Sequence, residues 1–149
     1  YYPDIVNPFL PYTDYLIINE IEAEKCSNIS TKLDGKLLQE SLPKASDELL
    51  LLGVNKLVVI HSPEGGFVKT ADGNEIFASS KLISPKDMKG SVGAGDAFCA
   101  GMIYGLHQEY DLRLSLEIAN INAWFNLQHE TSTGGTVPIK DILEKITIL

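Results

Sequence analysis

The stretch Gly90-Ser91-Val92-Gly93-Ala94-Gly95-Asp96-Ala97-Phe98 decides how the rest of the sequence is interpreted. Three glycines fall within six residues, an acid follows the last of them, and an apolar helical pattern predicts a helix over residues 95–107. A glycine loop that enters a helix directs several backbone N–H groups at one point, at the positive end of the helix dipole. The stretch therefore predicts a site for a phosphate-sized anion.

The acid makes this glycine loop unusual. A Walker A loop requires Lys-Ser/Thr after Gly95, where Asp96-Ala97 stands, and the dinucleotide fingerprint requires a third glycine where Phe98 stands. A loop that binds phosphate and also presents a carboxylate favours phosphoryl transfer to a hydroxyl group that Asp96 deprotonates. The alternative is a strand-to-helix turn in which Asp96 is only a capping residue.

The residues after the loop predict a helical hairpin. Gly101 and Gly105 lie four apart, so one face of the first helix lacks side chains and can pack closely on a neighbour. Asp111 is a suitable N-cap for a largely apolar helix over residues 112–128. A loop rich in glycine and threonine follows at residues 131–137, and a short closing helix is predicted at residues 139–146.

The residues before the loop alternate between strand and helix patterns. Strands are predicted at Tyr15–Ile18, Lys56–Ile60, Phe67–Thr70, Glu75–Ala78 and Lys81–Ser84. Helices are predicted at residues 20–25, 32–42 and 46–52, loop or short turns at residues 1–13, and a turn at residues 61–66. Asp72-Gly73 is a hairpin signal. The pattern predicts an α/β, Rossmann-like fold with a mainly parallel sheet, flanking helices and one antiparallel hairpin.

Asn19 and Glu22 follow the first predicted strand. They lie near its carboxyl end, the edge at which ligands gather in open α/β sheets. The alternative is a purely local role, with Asn19 as helix N-cap and Glu22 at the third helical position, an arrangement related to the capping box.

Composition limits the classes of partner. The 149 residues include 12 Lys and Arg against 20 Asp and Glu, a net charge of −8, which argues against nucleic acid and anionic membranes. The apolar runs are too short to span a bilayer, and from the residues at the start of the sequence we expect no signal peptide. Cys26 and Cys99 have no metal or redox spacing, and the three histidines are scattered. We expect a cytoplasmic protein of one domain.

Four motifs together resemble the ribokinase-like (PfkB) carbohydrate kinases. The glycine loop resembles the family's C-terminal signature, Asp/Asn-Thr/Ser-x-Gly-Ala-Gly-Asp. The other three are similar to its Asn-x-x-Glu motif, its strand with a Gly-x-x-Gly nucleotide turn, and its late helix with an Ala-Asn pair. They are Asn19 to Glu22, Val59 to Gly66, and Asp111 to Gln128 with Ala119-Asn120. The order and spacing of all four fit the family.

The resemblance implies transfer of the ATP γ-phosphoryl group to an alcohol of a sugar or similar small molecule. It implies that Asp96 is the catalytic base. The backbone N–H groups of Gly93, Ala94 and Gly95 would form an anion hole for charge on the transferring group.

The resemblance also implies cofactor contacts. Asn19 and Glu22 would hold Mg²⁺ and phosphates, in part through water. Ser62 and Gly65 would line the nucleotide site, and Asn120 would lie near the adenine.

Two positions depart from the family pattern. The first signature residue is often Asp, which in ribokinase-like members takes part in a monovalent-cation site, but here it is Gly90. We therefore expect little activation by potassium. Ser62 replaces the usual first glycine of the nucleotide turn, so the local backbone there is expected to differ.

Motifs from the family's N-terminal half have no counterpart in this sequence. On that basis residues 1–149 are interpreted as the C-terminal nucleotide-binding and catalytic half of a ribokinase-like domain, without the N-terminal half and the lid. The half in isolation is expected to be inactive and to associate or aggregate, because the acceptor has nothing to position it against Asp96. The full-length protein is expected to form a homodimer.

Two further functions stay open on the sequence alone, as does a plain α/β fold with no site. The acceptor could be a nucleoside or a vitamin precursor, since the acceptor contacts of the family are missing here. The chain could instead be a non-catalytic module of the same fold that binds nucleotide or mediates association. Magnesium-dependent ATP binding without phosphoryl transfer would favour the second of these.

Overall fold

The computed structural model describes residues 2–147 as two compact units, one up to Phe77 and one from Ala78 onward. Residues 1, 148 and 149 of the predicted domain lie outside the described residues. The helices are α1 (Tyr2–Val6), α2 (Glu20–Ser27), α3 (Leu42–Leu51), α4 (Ala94–His107), α5 (Leu112–Asn126) and α6 (Ile139–Thr147). The strands are β1 (Tyr15–Asn19), β2 (Lys32–Leu33), β3 (Lys36–Leu37), β4 (Leu57–Ser62), β5 (Gly65–Thr70) and β6 (Glu75–Ser79).

The main sheet has four strands in the order β1-β4-β5-β6. β1 pairs with β4 in parallel, from Tyr15 opposite Leu57 to Asn19 opposite His61. β4 pairs with β5 in antiparallel orientation and ends with Ser62 opposite Gly65. The predicted α/β fold with parallel pairing and an antiparallel hairpin is confirmed.

The first unit has its core beneath this sheet. The strand β4 is buried along four consecutive residues, Leu57 to Ile60, because its side chains are covered on both faces. Leu10, Leu42 and Leu49 belong to the cluster that packs against it. Burial of each such side chain contributes about 1.5–3 kcal/mol.

The second unit is built on the close packing of α4 against α5. A Cβ added to Gly101 would lie 2.7 Å from the Ala119 Cα atom, and one added to Gly105 would lie 2.5 Å from Ser115 Oγ. The predicted close approach through two glycines is therefore confirmed. The predicted N-cap is confirmed as well, since Asp111 Oδ1 accepts a 2.8 Å hydrogen bond from the N–H of Leu114.

The predicted secondary structure differs from the structure in several segments. Residues 1–13 are predicted as loop or short turns; the described part forms α1 and a 3-10 helix over Asn7–Tyr12, so it is more helical than expected. Proline is compatible with the first turn of a helix, and Pro8 stands there.

The predicted helix over residues 32–42 is instead the hairpin β2–β3 followed by a short 3-10 turn. Asp34 and Gly35 have φ angles of 50° and 77°, the left-handed conformation that a two-residue hairpin turn requires. The next helix begins earlier than the predicted residue 46, because Pro43 lies within its first turn rather than breaking it.

The strand predicted at Lys81–Ser84 is not formed. The Leu82 carbonyl oxygen accepts a 3.3 Å hydrogen bond from Trp124 Nε1 on α5, so a tertiary side-chain contact replaces strand pairing. The longest described helix has 15 residues, and within residues 2–147 none has the length and apolar character needed to cross a membrane.

Candidate active site

The turn that begins α4 is shaped by a glycine that no other residue could replace without strain. Gly93 is the N-cap of α4 with φ at 82°, the left-handed region that disfavours a side chain. A Cβ at this position would lie 2.5 Å from the Ser132 carbonyl oxygen. The loop around Ser132 therefore rests directly against the N-cap of the helix.

Backbone donors in this turn are only partly used. The N–H of Ala94 donates to Ser91 O at 3.2 Å, and the N–H of Ala97 donates to Gly93 O at 2.8 Å. For the N–H groups of Gly93, Gly95 and Asp96, no hydrogen bond to another described residue is present. Unpaired donors at the start of a helix are suited to an anion.

The Asp96 side chain does not cap the helix. α4 has no side-chain capping hydrogen bond, so the capping alternative for Asp96 is wrong. Asp96 is exposed in the first turn of α4. Burial raises the pKa of the Cys99 thiol, and the negative charge of Asp96 raises that pKa further.

Asp96 opens onto a cavity of about 260 Å³ in the second unit. The cavity is lined by Asp96, Ala97 and Ala100 of α4, by Asn122 and Asn126 of α5, and by Ser132, Thr133, Gly135 and Thr136 of the following loop. A carboxylate and a set of short polar side chains thus face one space.

The two asparagines in this cavity wall are functional candidates that the sequence analysis missed. Asn122 Nδ2 donates a 2.7 Å hydrogen bond to Ala97 O, and Asn126 Nδ2 donates a 2.7 Å hydrogen bond to Ser132 O. The signal in the sequence was two asparagines one turn apart on a largely apolar helix.

Asn120 faces another direction. It lies about 200° around α5 from Asn122, at 3.6 residues per turn. Its buried Nδ2 donates to Ala78 O at 2.9 Å and to Ser79 O at 3.4 Å, which ties α5 to the end of β6. Among the described residues, those that line the Asp96 cavity do not include Asn120.

Asn19 and Glu22, in the first unit, form a complete capping box at the start of α2. Asn19 Oδ1 accepts from the N–H of Glu22 at 2.8 Å, and Glu22 Oε2 accepts from the N–H of Asn19 at 2.9 Å. The capping alternative is therefore confirmed for this pair. The box fixes both side chains at the carboxyl end of β1, where both keep oxygen lone pairs for a further partner.

The surroundings of this pair are acidic. Glu20 forms a 2.7 Å ion pair with Lys32 while almost fully buried. Burial lowers the pKa of His61, opposite Asn19 in the sheet, although the carboxylates of Glu20 and Glu22 oppose that shift.

Asn19 and Glu22 fit a magnesium ion held largely through water. Within residues 2–147 no group of three or more His, Cys, Asp and Glu side chains converges as a metal cluster. Mg²⁺ usually keeps several waters and takes one or two carboxylates together with phosphate oxygens. The Glu22 carboxylate, fixed by the capping box, is a ligand of that kind, and the Asn19 amide oxygen can accept a hydrogen bond from a water of the ion.

Ser62 and Gly65 are brought together by a two-residue turn at the same sheet edge. Ser62 Oγ donates to Gly65 O at 3.4 Å and accepts from the N–H of Glu64 at 3.2 Å. The strands continue further into the predicted turn over residues 61–66 than expected, since β4 ends at Ser62 and β5 begins at Gly65. The serine that departs from the family pattern therefore closes the turn through its hydroxyl.

Comparison with known proteins identifies the family. Residues 4–140 match the profile described as pfkB family carbohydrate kinase. The chain is 34% identical over 95 residues to a 5-dehydro-2-deoxygluconokinase of Clostridium botulinum, which covers 62% of this chain and 26% of the relative. It is 28% identical over 137 residues to an adenosine kinase of Saccharomyces cerevisiae, which covers 85% of this chain and 37% of the relative.

Solved structures show the same fold. The ribokinase of Arabidopsis thaliana, complexed with ribose and ATP, matches with a TM-score of 0.82 at 22% identity over 95% of this chain and 43% of that chain. The adenosine kinase of Sinorhizobium meliloti matches with a TM-score of 0.76 at 17% identity over 97% of this chain and 40% of that chain.

The chain spans between about a quarter and two fifths of the length of the relatives named above. The match nevertheless covers most of the chain and includes every motif of the sequence analysis, from Asn19 to Asn120. The chain belongs to the pfkB family of carbohydrate kinases.

Proposed function

We propose that this chain carries the nucleotide site and the catalytic base of an ATP-dependent kinase that phosphorylates a hydroxyl of a sugar or sugar-like molecule. The observation that carries the proposal is the state of Asp96. Its carboxylate is exposed, caps no helix and lines a cavity beside backbone N–H groups without a described partner. A carboxylate that caps no helix and lies next to anion-binding donors is suited to act as the general base in phosphoryl transfer.

The reaction assigns one role to each group. The acceptor hydroxyl gives its proton to the Asp96 carboxylate while its oxygen forms a bond to the γ-phosphorus. The bond between that phosphorus and the bridging oxygen breaks, and ADP leaves. The N–H groups of Gly93, Gly95 and Asp96 donate to the oxygens of the transferring group. The N–H of Ala94, also in the predicted anion hole, contributes less because it already donates to Ser91.

The first unit would hold the nucleotide phosphates and magnesium. Asn19 and Glu22 would orient the waters of the ion, and a bound Mg²⁺ would neutralise charge on the phosphates. Ser62 and Gly65 would present the turn between β4 and β5 to the nucleotide. Asn120 would lie near the adenine. Because its amide already donates to Ala78 O, it would act there by positioning the end of β6.

Two acceptor classes follow from the relatives. The relative at 34% identity is named for a keto sugar acid, and the relative matched over 137 residues is named for a nucleoside. We favour the sugar class for two reasons. The relative with the higher identity is named for a sugar acid, and the family is described as carbohydrate kinases.

The test is acceptor-dependent ADP release by the full-length protein. ATP, magnesium chloride and a panel containing 5-dehydro-2-deoxygluconate, ribose and adenosine are supplied, and the phosphorylated product is identified by mass spectrometry. We expect transfer to one sugar or sugar acid. If ATP raises the melting temperature but no hydroxyl compound promotes ADP release, the non-catalytic alternative replaces this proposal.

A further inference from the structure

The close packing of α4 on α5 brings short side chains of one helix to the backbone of the other. Gly101 and Gly105 remove the side chains that would keep the helices apart. Nearer the start of α4, the short distance between the two helices lets Asn122 Nδ2 donate a 2.7 Å hydrogen bond to the Ala97 carbonyl oxygen.

Ala97 is the residue directly after Asp96, and its two backbone groups are both engaged. Its N–H donates to Gly93 O at 2.8 Å, and its C=O accepts from Asn122. Asn122 therefore holds the peptide that follows Ala97, and the Gly93 carbonyl holds the peptide that joins Asp96 to Ala97. The orientation of this second peptide sets the direction in which the Asp96 side chain leaves the helix.

Asn126 acts on the opposite side of the same turn. It lies one helical turn after Asn122 and donates through Nδ2 to Ser132 O at 2.7 Å. Ser132 is the residue that rests against Gly93, the N-cap of α4. The hydrogen bond from Asn126 thus holds the loop that fixes the position of the N-cap.

Stability alone does not explain an asparagine at position 126. The side chain is 3% exposed, and its Oδ1 accepts no hydrogen bond from the residues that the structure describes. A buried polar atom without a partner is unfavourable for folding, and an apolar side chain of similar volume would remove it. The amide therefore has a use that offsets this cost.

We propose that Asn122 and Asn126 are positioning residues for phosphoryl transfer, which hold the turn from Gly93 to Asp96 through Ala97 and through Ser132. This inference rests on the proposed function. Neither asparagine needs to touch the reacting atoms. Their effect is on the alignment of the base and the anion hole, and an error of about 1 Å in such an alignment lowers the rate by up to about a hundredfold.

The experiment compares Asn122→Leu and Asn126→Leu in the full-length protein with a matched control, Gln128→Met. Gln128 also donates from a side-chain amide on this segment, to Trp124 O at 3.0 Å, and it is not one of the residues that line the Asp96 cavity. We expect each leucine variant to lower kcat by about tenfold to a hundredfold, with the KM for ATP within about twofold of wild type. The Gln128→Met variant keeps the wild-type kcat, and Asn122→Gln, which retains an amide donor, recovers part of the rate.

Two readouts separate positioning from a structural role. The melting temperature of Asn126→Leu should stay within a few degrees of wild type, because the lost hydrogen bond and the removed unpaired oxygen act in opposite directions. Hydrogen exchange at the Ala97 amide should become faster in both leucine variants. A kcat within about twofold of wild type in both variants, or unchanged exchange at Ala97, overturns the proposal.

The exchange measurement also distinguishes this inference from the proposed function. If the wild-type protein transfers phosphate to no acceptor, the proposed function has failed, and exchange at Ala97 still decides whether the asparagines hold the turn. If the wild type is active and both leucine variants keep its kcat, the proposed function stands and only the positioning role is wrong.

Discussion

Gly93 and Ser132 approach so closely that no side chain fits between them. A Cβ on Gly93 would lie 2.5 Å from the Ser132 carbonyl oxygen and 2.7 Å from its Cα atom. Both obstacles are backbone atoms, which cannot rotate away. The loop after α5 and the N-cap of α4 therefore behave as one packed surface within the second unit.

Gly93→Ala should reduce both stability and turnover. The positive φ costs about 1–2 kcal/mol for a residue with a side chain, and the clash with Ser132 adds about 1–3 kcal/mol. The matched control is Gly73→Ala, at φ 94° with no atom within 4 Å of the added Cβ, which isolates the cost of the φ angle. Chemical unfolding and turnover of the two variants should differ; equal losses in both would mean that the contact with Ser132 is unimportant.

Asp96→Asn should nearly abolish phosphoryl transfer. Loss of the base lowers the rate by about a hundredfold to ten-thousandfold, while ATP affinity should stay largely intact. Asp111→Asn is the control, because it makes the same chemical change at the start of α5, where asparagine also serves as an N-cap. Near-normal turnover of Asp96→Asn in an active enzyme would exclude its role as base.

Glu22→Gln should raise the magnesium concentration needed for the half-maximal rate. The amide oxygen can still accept from the N–H of Asn19, so the capping box survives while the charge is lost. Glu20→Gln, the control, removes the charge paired with Lys32 and should lower stability without moving the magnesium midpoint. An unchanged midpoint in Glu22→Gln would leave Asn19 and Glu22 with the capping role alone.

Potassium should stimulate the reaction little. Gly90 has no carboxylate where the family signature often has one, and its backbone packs near His129, with an added Cβ 3.4 Å from the His129 carbonyl oxygen. Rates in potassium chloride and in tetramethylammonium chloride at equal ionic strength measure the effect. A large potassium response would show that carbonyl oxygens suffice for such a site.

Acid should weaken the contact between α2 and the β2–β3 hairpin through Glu24. Its Oε2 accepts from the N–H of Thr31 at 2.8 Å, and this hydrogen bond holds the pKa of Glu24 below its ordinary value. A carboxyl group whose pKa is lowered by folding stabilises the protein above its unfolded pKa, and the contribution disappears as the pH falls through the folded pKa.

The matching variant is Glu24→Gln, which keeps an acceptor without charge. At neutral pH it should be less stable than wild type by about 1 kcal/mol or less. The difference between the two melting temperatures should shrink as the pH is lowered past the folded pKa of Glu24. A difference independent of pH would assign the effect to packing instead.

Contacts between residues close in sequence were predictable. The capping box of Asn19 with Glu22 and the cap of Asp111 on Leu114 each span three residues, so the pattern of residue types contains both partners. The close packing at the glycine pair in α4 was predictable as well, because four-residue spacing places both glycines on one helix face.

Two local signals in the first unit explain differences between the predicted and the observed elements. The prediction of a helix over residues 32–42 gave no weight to Asp34-Gly35, the pair that forms the turn of β2–β3. Pro43 lies between the two predicted helices, over residues 32–42 and 46–52, but it occupies the first turn of α3, where its missing N–H has no helical partner to lose.

The sequence by itself determined the family, the α/β class and the residue types that could act as base and anion hole. Only the tertiary structure decided which of them are free to act. Asn122 meets Ala97 across 25 positions, and Asn120 meets Ala78 across 42, and no local pattern encodes such pairings. The Asn120 amide donates to Ala78 at the end of β6, whereas the Asn122 amide donates to Ala97 beside Asp96. The two side chains leave α5 in different directions and therefore meet different neighbours.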